Sequence, residues 1–203
     1  MPNVVDYALF AANAYARSLD VVTPPNIVPV PPGWTGLTPS ETGSNPGVNP
    51  TTGFLARAYK KGSEIVIAYS GTTAEAGMTT KDWMEGNIPS GTGFGLGGQV
   101  VDAARFYLDI SQANPGSSIT FTGHSLGGGL AFLMAIYFNR SAETFDQAPF
   151  GRSAVSQGIY DALKNRLTEL SYALPADFTS YVPGSEELKG SMTFLITNEP
   201  QPA

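Results

Sequence analysis

The chain contains no cysteine. That excludes disulfide bonds and thiolate metal ligation. It carries a single histidine, His124, so no histidine cluster can form within it. Charged residues make up only 14% of the sequence, and the net charge is −6. An acidic, lightly charged surface suits neither nucleic acid nor an anionic membrane bound through charge. No apolar run reaches the roughly 18 residues of a transmembrane helix. The opening Met1-Pro2-Asn3-Val4-Val5-Asp6 has no basic stretch followed by an apolar one, so no cleaved secretory signal is readable. These absences fit the cytosol, and they fit equally well export by a signal-less or C-terminal-signal route. The acidic residues show no metal-ligand spacing, and no metal or cofactor is expected.

What is present suits one domain over 1–203, with 42% hydrophobic and 11% aromatic residues. Gly 23 and Pro 16 are both high, which predicts many loops around the core. Val4 to Ser18 reads as a helix, with Val5, Ala8, Leu9, Ala12, Tyr15 and Ala16 as its apolar set. Residues 23–50 are rich in Pro, Gly, Thr and Ser and read as an extended surface wrap. Phe54–Tyr59 and Glu64–Tyr69 flank a turn at Lys61-Gly62-Ser63 and predict a β-hairpin with a buried second strand. Gln99 to Ala113 predicts an amphipathic helix, with Val100, Ala103, Ala104, Tyr107, Leu108 and Ile110 inward, stopped by Asn114-Pro115-Gly116. A strand over Ser118–Thr122, an Ala/Leu/Gly-rich helix over Leu126–Asn139 and a short strand over Ala142–Phe145 follow. Another helix lies within Ala154–Leu174, and a last strand spans Ser191–Thr197. Strands alternating with helices predict an α/β fold with a mostly parallel central sheet and helices on both faces.

Two glycine motifs stand out. Gly93-Phe94-Gly95-Leu96-Gly97-Gly98 fits a dinucleotide-binding pattern, but it follows a loop rather than a strand. No acidic residue ends a strand about 20 residues further on, so nucleotide binding is not expected. Gly123-His124-Ser125-Leu126-Gly127 fits G-x-S-x-G and has the strand–turn–helix setting that a nucleophile elbow needs. Its glycines have a physical task, because a Cβ two residues either side of the serine would strike neighbouring backbone. The helix N-terminus after Ser125 offers free N–H groups and positive dipole to a developing oxyanion. His124 precedes the serine on a tight turn, so its ring should project away from Ser125 Oγ. It is therefore not expected to be the base.

Tyr69-Ser70-Gly71-Thr72, Lys81-Asp82-Trp83, Gly123 to Gly129 and Thr144-Phe145-Asp146, in that order, resemble the class 3 lipases. The resemblance runs from the first helix to near residue 200. It implies an α/β-hydrolase-type fold and hydrolysis of lipid esters, with phospholipids among the possible substrates. It implies Ser125 as nucleophile, the Leu126 N–H as one oxyanion donor, and Thr72 as the other. Ser70 stands where that family often has arginine. Residues 74–89 resemble the family's lid, with Trp83 and Met84 as apolar flap residues; an ordinary core anchor is the plainer account of Trp83. The partner implied is a lipid-like or other apolar ester.

The catalytic acid of this fold follows either of two strands, leaving Asp146 and Glu199 as candidates. Glu199 matches the position that class 3 lipases use, with Glu for the usual Asp. The family's histidine comes later in the chain than its acid. The expectation is therefore a C-terminally incomplete hydrolase, whose base is supplied by a further segment of the same protein. The alternative is a catalytically impaired, hydrolase-like module that binds lipid or a partner. A weak enzyme using Ser125 and its oxyanion donors alone is a third possibility. Residues 151–190 are expected either to cap the pocket or to cover the sheet.

Overall fold

The computed structural model describes residues 1–15, 28–71, 96–148, 150 and 154–185. Among them lie five helices and six strands. In chain order these are α1 (Val4–Asn13), β1 (Thr35–Gly36), β2 (Val48–Asn49), β3 (Phe54–Lys61), β4 (Glu64–Tyr69), α2 (Leu96–Ala113), β5 (Ser118–His124), α3 (Leu126–Tyr137), β6 (Ala142–Phe145), α4 (Gln157–Glu169) and α5 (Ala176–Thr179). The expected strand over 191–197 and the lid segment over 74–89 fall outside the described residues.

The sheet runs β1-β3-β4-β5-β6, with β2 also paired to β3. It is mixed. β4, β5 and β6 are parallel, as the strand–helix alternation predicts. The β3–β4 hairpin and the two short strands from the wrap add an antiparallel margin. The wrap is thus not wholly irregular. Thr35-Gly36 and Val48-Asn49, both free of proline, each pair with β3.

Period-two alternation sorts the strand side chains to two cores. Ile65, Ile67 and Tyr69 of β4 join Ile119 and Phe121 of β5 in a large cluster under α2, α3 and α4. Val66 and Ala68 face the other way, into a smaller cluster with Phe10, Ala14, Trp34 and Tyr59. On that second face the Tyr7 hydroxyl donates to Thr120 Oγ1 at 3.0 Å, and Thr122 Oγ1 donates to the Tyr7 carbonyl at 3.3 Å. Helices therefore cover both faces, in an α/β-hydrolase-type arrangement.

Every residue of the apolar set read for α2 is buried, and Phe106 joins it. The set read for α1 is out of phase. Val5 is exposed, while Phe10, Ala11 and Ala14 are buried. Val4 to Ala12 is almost continuously apolar, so no polar face fixes the phase. The slot for the largest ring decides it instead. Phe10 stacks on Tyr59 with centroids 4.6 Å apart and meets Trp34 edge-on at 5.1 Å. The start of α1 is set locally by a capping box. Asn3 Oδ1 accepts from the Asp6 N–H, and the Asn3 N–H donates to Asp6 Oδ2, both at 3.0 Å.

α3 has no charged residue and is buried on nearly every side, against the sheet and beside α2. α4 buries Tyr160, Leu163 and Leu167 in the same large cluster. The end of α2 is locked to the wrap through the buried Asn114, whose Nδ2 donates to the carbonyls of Ile110 at 2.9 Å and Glu41 at 2.7 Å. No helix among the described residues is long and apolar enough to cross a membrane.

Candidate active site

Three chain segments end side by side at the C-terminal edge of the parallel strands, which is where open α/β sheets place their sites. In the ladder Gly123 lies opposite Tyr69 of β4 on one side and Thr144 of β6 on the other, and His124 lies opposite Phe145. Immediately beyond, the chain turns at Ser125 and enters α3.

Ser125 has φ 55° and ψ −125°. A positive φ is uncommon for a residue with a Cβ and costs on the order of 1–3 kcal/mol, so the surroundings must hold it there. The Ser125 N–H donates to the Phe145 carbonyl at 3.1 Å, and its carbonyl accepts from the Ala148 N–H at 2.9 Å and the Gly129 N–H at 3.1 Å. The loop leaving β6 and the first turn of α3 thus clamp the serine's main chain from both sides. The side chain is left free of any capping bond and partly exposed.

The glycines around it are dictated by close approach. A Cβ on Gly127 would stand 2.7 Å from the Ser70 carbonyl carbon, and one on Gly123 would stand 2.7 Å from the Gly128 nitrogen. Real side chains do not approach backbone this closely, so both positions of G-x-S-x-G require glycine. Gly128 and Gly129 serve a different neighbour from the sheet itself. A Cβ there would meet Gln147 at 2.9 Å and the Phe150 ring at 2.6 Å respectively, both on the segment after β6. α3 therefore begins with its axis pressed against β4 on one side and the β6 exit on the other.

The first intrahelical bond of α3 is Gly129 N–H to Ser125 O. The N–H groups of Leu126, Gly127 and Gly128 consequently have no intrahelical acceptor. They concentrate partial positive charge beside Ser125 at the start of a 12-residue helix.

Asp146 follows β6 directly, at φ 43°. Its side chain is exposed and makes no hydrogen bond or ion pair among the described residues, whereas neighbouring Thr144 Oγ1 donates to Gln147 Oε1 at 2.8 Å. Ser125, Leu126 and Asp146 are thus brought to one edge. Thr72, Trp83, Met84 and Glu199 lie outside the described residues.

The ring of His124 is turned to Tyr15, just past the end of α1. Its Nδ1 lies 3.0 Å from the Tyr15 hydroxyl, which also donates to the His124 main-chain carbonyl at 3.2 Å. The same hydroxyl lies against Gly71 at the end of β4, where an added Cβ would collide with it. Burial pushes the Tyr15 phenol above its ordinary range, with the Gly71 backbone hydrogen bond acting in the opposite direction. In the sequence Tyr15 is one more member of an apolar helix stripe. Nothing local distinguishes it, because its contacts are with residues 56 and 109 positions away.

Comparison with known proteins places the chain by class first. Residues 6–187 match the phospholipase-like family, in its Tle-like phospholipase domain. The match covers most of the chain, which therefore belongs to that family. The Extracellular phospholipase A1 of Serratia liquefaciens is 32% identical over 118 residues, 57% of this chain and 31% of its own length. The chain thus spans about a third of that relative. Lipase II from Rhizopus niveus aligns in structure with a TM-score of 0.42 and 20% identity, over 71% of this chain and 61% of its own.

Proposed function

We propose that this domain carries the nucleophile of a carboxylic ester hydrolase acting on phospholipid or related lipid esters. The observation that carries the reading is the Ser125 turn. The serine is held at positive φ by bonds to its main chain, between two glycines that admit no Cβ, and its hydroxyl makes no hydrogen bond among the described residues. A structure holds a residue in such a conformation only when its surroundings over-determine it, and such sites are concentrated where chemistry is done.

Ser125 Oγ attacks the ester carbonyl and forms a tetrahedral intermediate. Its oxyanion takes hydrogen bonds from the Leu126 N–H and from Thr72. Loss of the alcohol leaves an acyl-serine, which water then releases as the carboxylic acid. Trp83 and Met84 supply apolar contact to the acyl chains. Asp146 and Glu199 both stand as the carboxylate that orients the base. The exposed Asp146, without a partner among the described residues, is free to receive an imidazole, and Glu199 has the position in the chain that the lipase resemblance favours. No base is assigned within these 203 residues: the one histidine, His124, has its ring against Tyr15 and makes no hydrogen bond to Ser125 among the described residues. The phospholipid substrate class rests on the family description and on the name of the Serratia liquefaciens relative.

The test pairs a fluorophosphonate probe with hydrolysis of phospholipid vesicles and a soluble short-chain ester, on wild type and Ser125→Ala. Labelling and hydrolysis that vanish together in Ser125→Ala support the reading, and equal rates in both proteins remove Ser125 from the mechanism. The lack of a hydrogen bond between His124 and Ser125 among the described residues favours a second reading, a hydrolase-like module that binds lipid without turnover. Vesicle binding by the full chain, with no labelling of Ser125, is its signature.

A further inference from the structure

We propose that Tyr15 is a positioning residue for the nucleophile turn, its hydroxyl pinning the backbone that leads into Ser125 against the end of β4. The inference rests on reading Ser125 as the nucleophile. It concerns a residue that touches no reacting atom and acts through its neighbours.

The geometry behind it begins where the ladder stops. The last paired residues of β4 and β5 are Tyr69 and Gly123. Beyond that pair no β4 residue partners β5: the next N–H, of Ser70, continues the pairing with β3 and donates to the Leu55 carbonyl at 2.9 Å. His124 is therefore the first residue of β5 without a ladder partner on β4. Its carbonyl is taken by the Tyr15 hydroxyl instead, at 3.2 Å. On the other flank, His124 remains paired with Phe145 of β6. Tyr15, just past α1, thus supplies through one oxygen the link that the sheet gives up at the residue before Ser125. That oxygen also fills the space beside Gly71, the residue that precedes Thr72 in the chain.

A hydroxyl has one proton, and this fixes how the contact works. If His124 Nδ1 carried no proton, the single O–H would be divided between that nitrogen and the His124 carbonyl. With a proton on Nδ1, the ring donates to the tyrosine oxygen and the tyrosine donates to the carbonyl, so each group is satisfied. The contact therefore selects the Nδ1–H form of His124. The only histidine of the chain is thereby held against Tyr15, beside the serine turn. Its ring braces the turn from outside.

Burial, by raising the Tyr15 phenol, keeps the hydroxyl protonated and able to donate across the ordinary pH range.

Tyr15→Phe removes only the hydroxyl. Tyr7→Phe is the matched control, because Tyr7 also reaches from α1 to β5 through one hydroxyl bond, to Thr120, away from the turn. In the full chain, kcat on a soluble short-chain ester and the rate of fluorophosphonate labelling at Ser125 should fall roughly 10- to 100-fold in Tyr15→Phe, the effect of a small misplacement of a reacting group. KM should stay within about twofold, since ground-state binding is untouched. Tyr7→Phe should keep wild-type kcat even where its melting temperature falls as far. Nitrogen-15 NMR of labelled histidine should show Nδ1 of His124 protonated at neutral pH in wild type and no longer selectively so in Tyr15→Phe. The inference is overturned if Tyr15→Phe keeps kcat and labelling rate, or if both variants lose them equally, which would mark a merely structural bond. A wild-type chain that neither hydrolyses esters nor labels at Ser125 removes the functional reading and this inference together. An active wild type with an unaffected Tyr15→Phe removes only the inference.

Discussion

Replacing Ser125 by glycine should make the protein more stable than replacing it by alanine, while both changes abolish labelling. Alanine keeps a Cβ at φ 55° and ψ −125°, so it keeps the strain of the turn. Glycine removes that strain, on the order of 1–3 kcal/mol. Against this stands the greater freedom of glycine in the unfolded chain, about 0.5–1 kcal/mol. No cap bond is lost with the serine side chain, because Ser125 makes none. The difference favours Ser125→Gly by about 1 kcal/mol, or roughly 2–4 °C in melting temperature for a chain of this size. Thermal unfolding of the two variants under identical conditions measures it, with fluorophosphonate labelling run alongside. A Ser125→Gly protein that melts at or below Ser125→Ala would refute the reasoning. The turn would then store no strain, and the case for a functionally imposed conformation would go with it.

Gly127→Ala drives a Cβ to 2.7 Å from the Ser70 carbonyl carbon, so chemical denaturation should show a loss of about 3 kcal/mol or more, with little soluble protein recovered. His124→Ala should retain ester hydrolysis within about tenfold of wild type, whereas removal of a catalytic base costs on the order of 10⁴-fold or more; a loss of the larger size would restore His124 as the base. Glu41 is held at a pKa of about 2 by the Thr38 N–H, the Thr38 hydroxyl and Lys60. Because the folded value lies below the ordinary 4.5, its contribution is complete above that pH and is lost as pH falls toward 2. At one-third exposure, solvent screening reduces that contribution to about 1 kcal/mol. Glu41→Gln should lower stability at neutral pH by that amount and flatten the acid limb of a pH–stability curve between those two values.

The parts of the fold that could be read in advance are those where one short window contains the whole cause. The β3–β4 hairpin has its turn at Gly62-Ser63, within the expected Lys61-Gly62-Ser63, and two runs of strand-forming residues. The stripe on α2 is bounded by polar residues that fix its phase, and all six of its named members are buried. Both conditions fail on α1, where the apolar residues are too continuous to define a face and the aromatic slot between Trp34 and Tyr59 selects Phe10. The wrap shows the same limit from the other side. Its prolines correctly argue against long strands, yet Thr35-Gly36 and Val48-Asn49 pair with β3 because pairing requires a partner strand, which composition does not reveal.

At the site, the pattern Gly123 to Gly127 by itself determined the turn, because the spacing of glycines about one serine encodes a local conformation and little else. Composition, likewise, excludes a second histidine within these residues. Only the tertiary structure decided what presses on those glycines. Tyr69 and Ser70, at the end of β4 and just beyond it, press on Gly127, and Gln147 and Phe150, past β6, press on Gly128 and Gly129, contacts formed by chain segments distant in sequence. Only the tertiary structure gave His124 its occupation. A tyrosine 109 residues upstream reaches the ring once α1 packs across β5 and β4. Local spacing fixes backbone geometry over a few residues, where steric exclusion acts. The partners of a side chain depend on which surfaces the hydrophobic cores bring together, and that is a property of the whole chain.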